Sequence, residues 1–222
     1  MKLSDNDNEI KINKIKSRAC EFLKKINREL PEEMELEFEG FYPRGIFITK
    51  KRYALIDEDE KLTVKGLETR RRDWSNVAKN TQNKVLNSIL KDKDPASAAE
   101  SVKQMVQDIK AGNVEMDDLV INTRLTRKIN EYVTTGPHVE AAKKALDKGM
   151  KIKEGDVVPY IITKRGSSIS DKAVISDFVE EGDYDAEYYI NNQILPAVMR
   201  ILESLGYSED ELRGLGKQMK LF

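Results

Sequence analysis

The stretch IFITKKRYALIDEDEKLTV, residues 46–64, changes character several times along its length. Ile46, Phe47 and Ile48 are β-branched or aromatic and read as a strand. Thr49 to Arg52 is polar and basic. Tyr53 to Ile56 is strand-like again, Asp57-Glu58-Asp59-Glu60 reads as a solvated turn, and Leu62 to Val64 return along the strand before. Upstream, Met34, Leu36 and Phe38 alternate with Glu35, Glu37 and Glu39, a period of two that predicts one more strand. Tyr42-Pro43-Arg44-Gly45 reads as a turn, with Pro at its second position and Gly at its fourth. Residues 34–66 are therefore expected to form a small antiparallel meander.

On either side the period becomes helical. Ile12, Ile15, Ala19, Leu23, Ile26 and Leu30 share one face of a helix that Pro31 ends. After Trp74, Val77, Val85, Leu86, Ile89 and Leu90 mark a second helix. Ala98, Ala99, Val102, Met105, Val106 and Ile109 mark a third, with Pro95 near its start. Leu119 to Ile121 predicts a short strand, Gly136-Pro137-His138 opens a helix ending by Gly149, and Val157–Thr163 and Ala173–Ile175 predict two more strands. A long helix is expected from about Asp185 to Leu205, kinked at Pro196. The fold class is α+β, with a boundary near Arg72. Residues 1–72 are helix plus meander, and residues 73–222 are mainly helical with a small α/β tip.

The chain has 222 residues, 35% of them charged, yet a net charge of only -1, so its charge is heavy, balanced and unevenly placed. Residues 41–53 carry Arg44, Lys50, Lys51 and Arg52 and no acid, while residues 177–187 carry six acids and no base. A local basic face matters more for phosphate contact than the total does. Cys20 is the single cysteine and His138 the single histidine, which excludes an internal disulfide and the usual His/Cys zinc cage. The polar start, Met1 to Lys11, has no signal-peptide core, and no apolar run approaches the ~20 residues that span a bilayer. A cytoplasmic location is expected.

No catalytic cluster stands out. Asp57 to Glu60 is a dense set of carboxylates, but consecutive residues in a turn point in different directions rather than converging on metal ions. His138 lacks a nucleophile motif, and no glycine-rich phosphate loop is present. The basic sites say more. At a strand end, Lys50 and Arg52 would face one side and Lys51 and Tyr53 the other. Lysines attract phosphate with little sequence selectivity. Taken alone, this segment reads sooner as a solvated strand end. Arg70-Arg71-Arg72 reads equally as ion pairs with Asp73 and Glu68 beside a core Trp74. His138, with Lys143 and Lys144, sits in the first turn of a helix whose free N–H groups suit a phosphate or a plain cap. Lys164-Arg165-Gly166-Ser167-Ser168 is a basic, hydroxyl-rich loop or an ordinary hairpin turn. Four such sites over two parts fit a clamp along a duplex better than a point contact.

The motifs also carry a resemblance. Leu36-Glu37-Phe38-Glu39-Gly40-Phe41-Tyr42, followed by Thr49-Lys50-Lys51-Arg52-Tyr53-Ala54-Leu55-Ile56-Asp57, resembles the end of the palm of archaeal family B DNA polymerases. Gly66-Leu67-Glu68, Arg71-Arg72-Asp73-Trp74-Ser75 and Thr81-Gln82 resemble the palm–thumb junction. Thr135-Gly136-Pro137-His138-Val139, Tyr184 to Ile190, and Asn192-Gln193-Ile194-Leu195-Pro196-Ala197-Val198 resemble thumb motifs. The resemblance implies that Lys50, Lys51, Arg52 and Tyr53 position the primer–template duplex. It implies backbone contacts for Arg71, Arg72, His138, Lys164, Arg165, Ser167 and Ser168.

The exonuclease domain, the fingers and the metal-binding palm aspartates of that family have no counterpart in these residues. The resemblance therefore implies the small subunit of a split polymerase, with no catalytic residue of its own and Mg2+ bound by a large partner subunit; Met1 and the polar lead read as a natural start, an engineered fragment being the alternative. The other reading is a stand-alone, non-catalytic DNA-binding accessory protein. Gln218, Leu221 and Phe222 in the tail resemble a shortened sliding-clamp peptide.

Overall fold

A computed structural model of the chain describes residues 5–214. Helix α1 spans Asp5–Glu29. It is followed by an irregular run and then a three-stranded antiparallel sheet in the order β1-β2-β3, with β1 at Arg44–Thr49, β2 at Arg52–Ile56 and β3 at Leu62–Lys65. The alternating apolar–acidic run 34–39 is not a strand, and residues 31–40 are all exposed. A strand needs a neighbour for its N–H and C=O groups. Here only the Asn27 side chain supplies one: its amide donates to the Leu36 carbonyl at 2.8 Å and its oxygen accepts from the Leu36 N–H at 3.0 Å. The turn predicted at 42–45 is also displaced, because Arg44 and Gly45 already pair with Ile56 and Leu55 in the sheet.

Beyond a 3-10 turn at Glu68–Arg70, helices α2 (Asn76–Leu90) and α3 (Pro95–Ala111) pack on each other. The start and stop of α3 follow from its ends. Asp94 accepts from the Ser97 N–H at 3.0 Å, Pro95 occupies the first turn, and Gly112 closes the helix at φ 83°. A single turn, α4 (Met116–Leu119), occupies part of the segment expected as a strand, and the strand β4 itself lies at Ile121–Arg124. Helix α5 (Pro137–Asp147) packs on the second antiparallel sheet, of order β4-β5-β6, with β5 at Val157–Ile162 and β6 at Ala173–Ile175. One helical turn, α6 (Ile169–Lys172), sits between β5 and β6.

The long C-terminal helix is three joined pieces. They are α7 (Ala186–Tyr189), a π-helical segment (Ile190–Ile194) and α8 (Leu195–Glu203), followed by a short α9 (Glu209–Leu212). Pro196 has no N–H and its ring crowds the carbonyl four residues back. The helix widens just before it: the Leu195 N–H donates to the Ile190 carbonyl, five residues away.

The motif around Tyr184–Tyr189 is scaffold. The Tyr184 hydroxyl donates to the Ile109 carbonyl at 2.7 Å, and the buried Tyr189 hydroxyl donates to the Leu119 carbonyl at 2.8 Å. Asp185 caps α7 through the Tyr188 N–H and pairs with Lys172 at 2.7 Å. Burial works to raise the Asp185 carboxyl, but the Lys172 hydrogen bond, the backbone N–H groups and the Lys172 charge together bring it below the usual range. One hydrophobic core runs from Ala54 to Leu212. From residue 9 to residue 53 no residue is buried.

Candidate nucleic-acid interface

Lys50 and Lys51 form the turn between β1 and β2, where Thr49 pairs with Arg52 and Phe47 with Tyr53. Alternation along a strand does not carry across a turn, so the expected pairing of faces is replaced. Lys51 takes the left-handed conformation, φ 66°, which costs an L-residue about 1–2 kcal/mol. Gly66, itself at φ 66°, lies against this turn, and a Cβ there would overlap the Lys51 carbonyl oxygen. Both lysines are exposed and neither makes an ion pair among the described residues. On the outer face of the sheet Tyr53 lies between Phe47 and Lys65, its cross-strand partners. The Phe47 and Tyr53 rings are 5.8 Å apart, and Phe47 is 75% exposed. The opposite face, through Ala54 and Val64, enters the core.

Arg52 does not share the lysines' freedom. Its guanidinium pairs with Glu68, whose carboxylate is almost wholly buried. The other Glu68 oxygen accepts from the Gln82 amide at 2.7 Å. That same amide donates to the Ala197 carbonyl, and the Gln82 oxygen accepts from the Thr69 N–H at 3.0 Å. Glu68 therefore ties the hairpin to α2, and through Gln82 to α8. Nearby, Gln193 accepts from the Ser75 N–H at 2.9 Å and from its hydroxyl at 3.0 Å. Sequence reading placed Glu68 as an ion-pair partner of the 70–72 arginines and Gln193 on the inner face of the C-terminal helix, and caught Thr81 and Gln82 only as parts of a motif. The signal it lacked is that Glu68, Thr81 and Gln82 sit at core positions, which no local spacing reveals.

Arg71 and Arg72 divide in the same way. Arg71 grips Asp73 with two hydrogen bonds, 3.0 and 2.5 Å, and lies 5.9 Å above the Trp74 ring. The hydrogen bond from Arg71 lowers the Asp73 carboxyl and raises the Arg71 guanidinium. Arg72 is exposed and makes no ion pair among the described residues. The hairpin and this cluster form one group, joined through Glu68.

The second group stands on the other sheet. His138 is in the first turn of α5, half-buried, with its ring edge-on to Tyr132 at 5.9 Å. Burial lowers its pKa below 6.5, so it is a neutral donor or acceptor at pH 7 rather than a cation. Lys143 pairs with Glu140, and Lys144 donates to the Asp171 and Ala173 carbonyls, so neither is free for a ligand. The Lys164–Ser168 loop reaches this end of α5, where the Ser170 hydroxyl donates to the Thr135 carbonyl at 3.2 Å. Within the loop, Lys164 donates to the Gly182 carbonyl at 2.9 Å, Ser167 to Asp171 at 2.5 Å, and the Ser168 hydroxyl caps the Asp171 N–H. Arg165 lies 3.9 Å from Asp183 with its side chain 82% exposed.

The acidic turn is not built to hold a metal ion. Asp57 accepts from the Asp59 and Lys61 N–H groups, Glu58 pairs with Lys16, and Glu60 lies 3.2 Å from Lys91. No group of three or more His, Cys, Asp or Glu converges on a cation position among the described residues. Among them, too, no helix is long and apolar enough to cross a membrane. Gln218, Leu221 and Phe222 lie outside the described residues.

The basic turn and several basic loop residues stand exposed, and comparison with known proteins supplies the class. The sequence profile of DNA polymerase family B matches residues 7–205, so the chain belongs to that family. It is 50% identical over 204 residues to a DNA polymerase of Methanocaldococcus jannaschii, covering 92% of this chain and 12% of the relative. It is 47% identical over 216 residues to a DNA polymerase of Thermococcus sp. (strain 9oN-7), covering 93% of this chain and 28% of the relative. The family B DNA polymerase from the hyperthermophilic archaeon Pyrobaculum calidifontis superimposes with a TM-score of 0.68 at 32% identity, over 86% of this chain and 25% of that one. The chain thus spans only an eighth to a quarter of the length of these relatives.

Proposed function

We propose that this chain is the small subunit of a split family B DNA polymerase. Residues 1–72 are the C-terminal end of the palm and residues 73–222 the thumb. The subunit grips primer–template DNA, and a large subunit carries the exonuclease domain, the fingers, the catalytic carboxylates and the Mg2+ they bind. The reaction of the assembly is nucleotidyl transfer, in which the primer 3′-hydroxyl attacks the α-phosphate of a nucleotide. This chain's part is to hold the primer end still: Lys50 and Lys51 meet phosphate or groove, and Tyr53 packs on a sugar. Arg52 acts at one remove, locked to Glu68 so that the turn keeps its place relative to α2 and α8.

The observation that carries the reading is the unburied N-terminal layer of a chain that matches its family from residue 7 onward. Of the thirteen large hydrophobic residues exposed among the described ones, seven lie between Ile10 and Phe47. Exposed apolar residues concentrated in one part of a chain suit contact with another surface.

The test is reconstitution. The chain alone should extend no primer, and mixing it with a large subunit should give a co-eluting complex that does. Lys51→Ala in that complex should impair extension. A chain that stays monomeric beside the large subunit and leaves its synthesis unchanged would instead be the stand-alone DNA-binding protein. Clamp contact through Gln218, Leu221 and Phe222 belongs to the same proposal. Deleting residues 218–222 without loss of clamp-stimulated synthesis removes it.

A further inference from the structure

A second set of unpaired cations lies across the sheet from the lysine turn. Lys61, Thr63 and Lys65 alternate with Leu62 and Val64, so the two lysines share the face of β3 that turns away from the core. Strand β3 is an edge strand, with β2 on one side and no strand on the other among the described residues. Beside it runs an open cleft of about 540 Å³, lined by residues 61–66 and Arg70 and by no acidic residue. Lys61, Lys65 and Arg70 are all exposed, and none makes an ion pair among the described residues. Of the six other cations in residues 44–74, three are engaged and Lys50, Lys51 and Arg72 are not. Arg44 donates to the Lys91 carbonyl, Arg52 pairs with Glu68, and Arg71 pairs with Asp73. Of the acids that flank the cleft, Glu58 pairs with Lys16, Glu60 with Lys91, and Glu68 with Arg52 and Gln82, while Asp59 makes no ion pair among the described residues. Asp57 is occupied by backbone N–H groups.

The cleft is continuous with the turn. Lys65 lies opposite Tyr53 in the register, and Gly66 abuts the Lys51 carbonyl. Lys61 and Lys65 are four residues apart on an extended strand, about 13 Å. The free outer edge of β3 adds unpaired backbone N–H groups that suit phosphate oxygens.

The geometry points to a phosphate-binding track in which Lys61, Lys65 and Arg70 hold the sugar–phosphate backbone of the same duplex that the Lys50–Lys51 turn touches. This rests on the reading of the chain as a DNA-gripping subunit, and it lengthens the footprint of the hairpin from the turn to the far edge of the sheet. Contacts of this type are independent of base sequence and are paid for in released counterions. Each should therefore appear as about one unit of the salt slope of binding.

The experiment is a fluorescence-anisotropy titration of a labelled primer–template duplex with this chain, over a potassium chloride series. The variants are Lys61→Ala/Lys65→Ala/Arg70→Ala, the single variant Lys65→Gln, and the control Lys110→Ala/Lys128→Ala/Lys153→Ala, which removes the same charge elsewhere. Circular dichroism confirms that each is folded. The triple variant should lower the slope of log K against log salt by about two to three and Lys65→Gln by about one, alike on unrelated duplex sequences, with the control slope close to wild type. A triple variant or a Lys65→Gln protein with the wild-type slope overturns the track and leaves the DNA-gripping subunit standing. Wild-type protein that binds no duplex at any salt overturns both. An unchanged DNA slope together with lost co-elution with a large subunit would assign the cleft to protein contact and also overturn the track.

Discussion

Helices α1 and α2 have the same kind of apolar spacing and opposite fates. In α2, eight of fifteen residues are buried, among them Val77, Val85, Leu86 and Leu90. In α1, none of the side chains from residue 9 onward is buried, and Ile15 and Phe22 are 51% and 65% exposed. An amphipathic pattern says which face of a helix seeks cover and not whether this chain provides it. Helix α2 finds α3, the 3-10 turn and α8, while the polar ties of α1 to later residues are Lys16 to Glu58 and Asn27 to Leu36. The difference marks where the described residues cover their own apolar faces and where they do not.

Matched truncations break or sharpen that contrast most directly. Leu86→Ala should cost about 2–5 kcal/mol in thermal or urea unfolding of the isolated chain, from lost burial and the cavity left behind. Phe22→Ala should stay within about 0.5 kcal/mol in the same assay and instead weaken co-elution with a large subunit. Equal destabilisation by the two would mean that α1 is part of the folded core after all. Next in size is the hub between the regions. Glu68→Ala leaves the Arg52 charge without its partner and should cost about 2–3 kcal/mol, whereas Glu68→Gln, which keeps an acceptor, should cost less. A Glu68→Ala protein that melts like wild type would show that the hairpin does not depend on α2 for its position.

The lysine turn gives a smaller effect that separates charge from conformation. Lys51→Gly fits φ 66° without strain but makes the unfolded chain more flexible, so stability should change by no more than about 1 kcal/mol. The salt slope of DNA binding should fall by about one in the same protein, as it should for Lys51→Ala. The smallest effect is a pH dependence in the second region. The folded pKa of His138 is depressed by burial below 6.5, so the unfolded chain binds the proton more readily. Its contribution to stability is then full above pH 6.5 and is lost as pH falls toward the folded value. His138→Gln should flatten the melting temperature in that window, and an unchanged profile would place the His138 ring in water.

Much of the fold was legible because local rules decide it. Pro95 and Pro137 mark the starts of α3 and α5, the Asp57–Glu60 turn separates β2 from β3, and apolar spacing located α2, α3 and the C-terminal helix, whereas the Lys50–Lys51 turn was expected as a strand end. The errors fall where a partner decides. The run Met34–Phe38 has strand alternation and no strand to pair with. The strand expected at Leu119–Ile121 starts only at Ile121, where β5 offers Tyr160 as its partner. The helix around Pro196 absorbs the missing N–H by a wide turn before it, within which Gln193 accepts from the buried Ser75. Of the candidate contact residues, Lys50, Lys51, Arg72 and Arg165 stand exposed, while Arg52, Arg71 and Lys164 are held by Glu68, Asp73 and Gly182.

By itself the sequence determined the helices, the two hairpins, the family and the position of the basic turn, since periodicity, turn chemistry and motif order are properties of neighbours along the chain. Only the tertiary structure decided which cations are free and which are spent on ion pairs, that Glu68 joins the hairpin to the helices, and that the first layer is left uncovered by the other described residues. Those are questions of which distant groups meet. Whether a charge or an apolar face is satisfied depends on what stands within a few ångströms of it, not on what stands beside it in sequence.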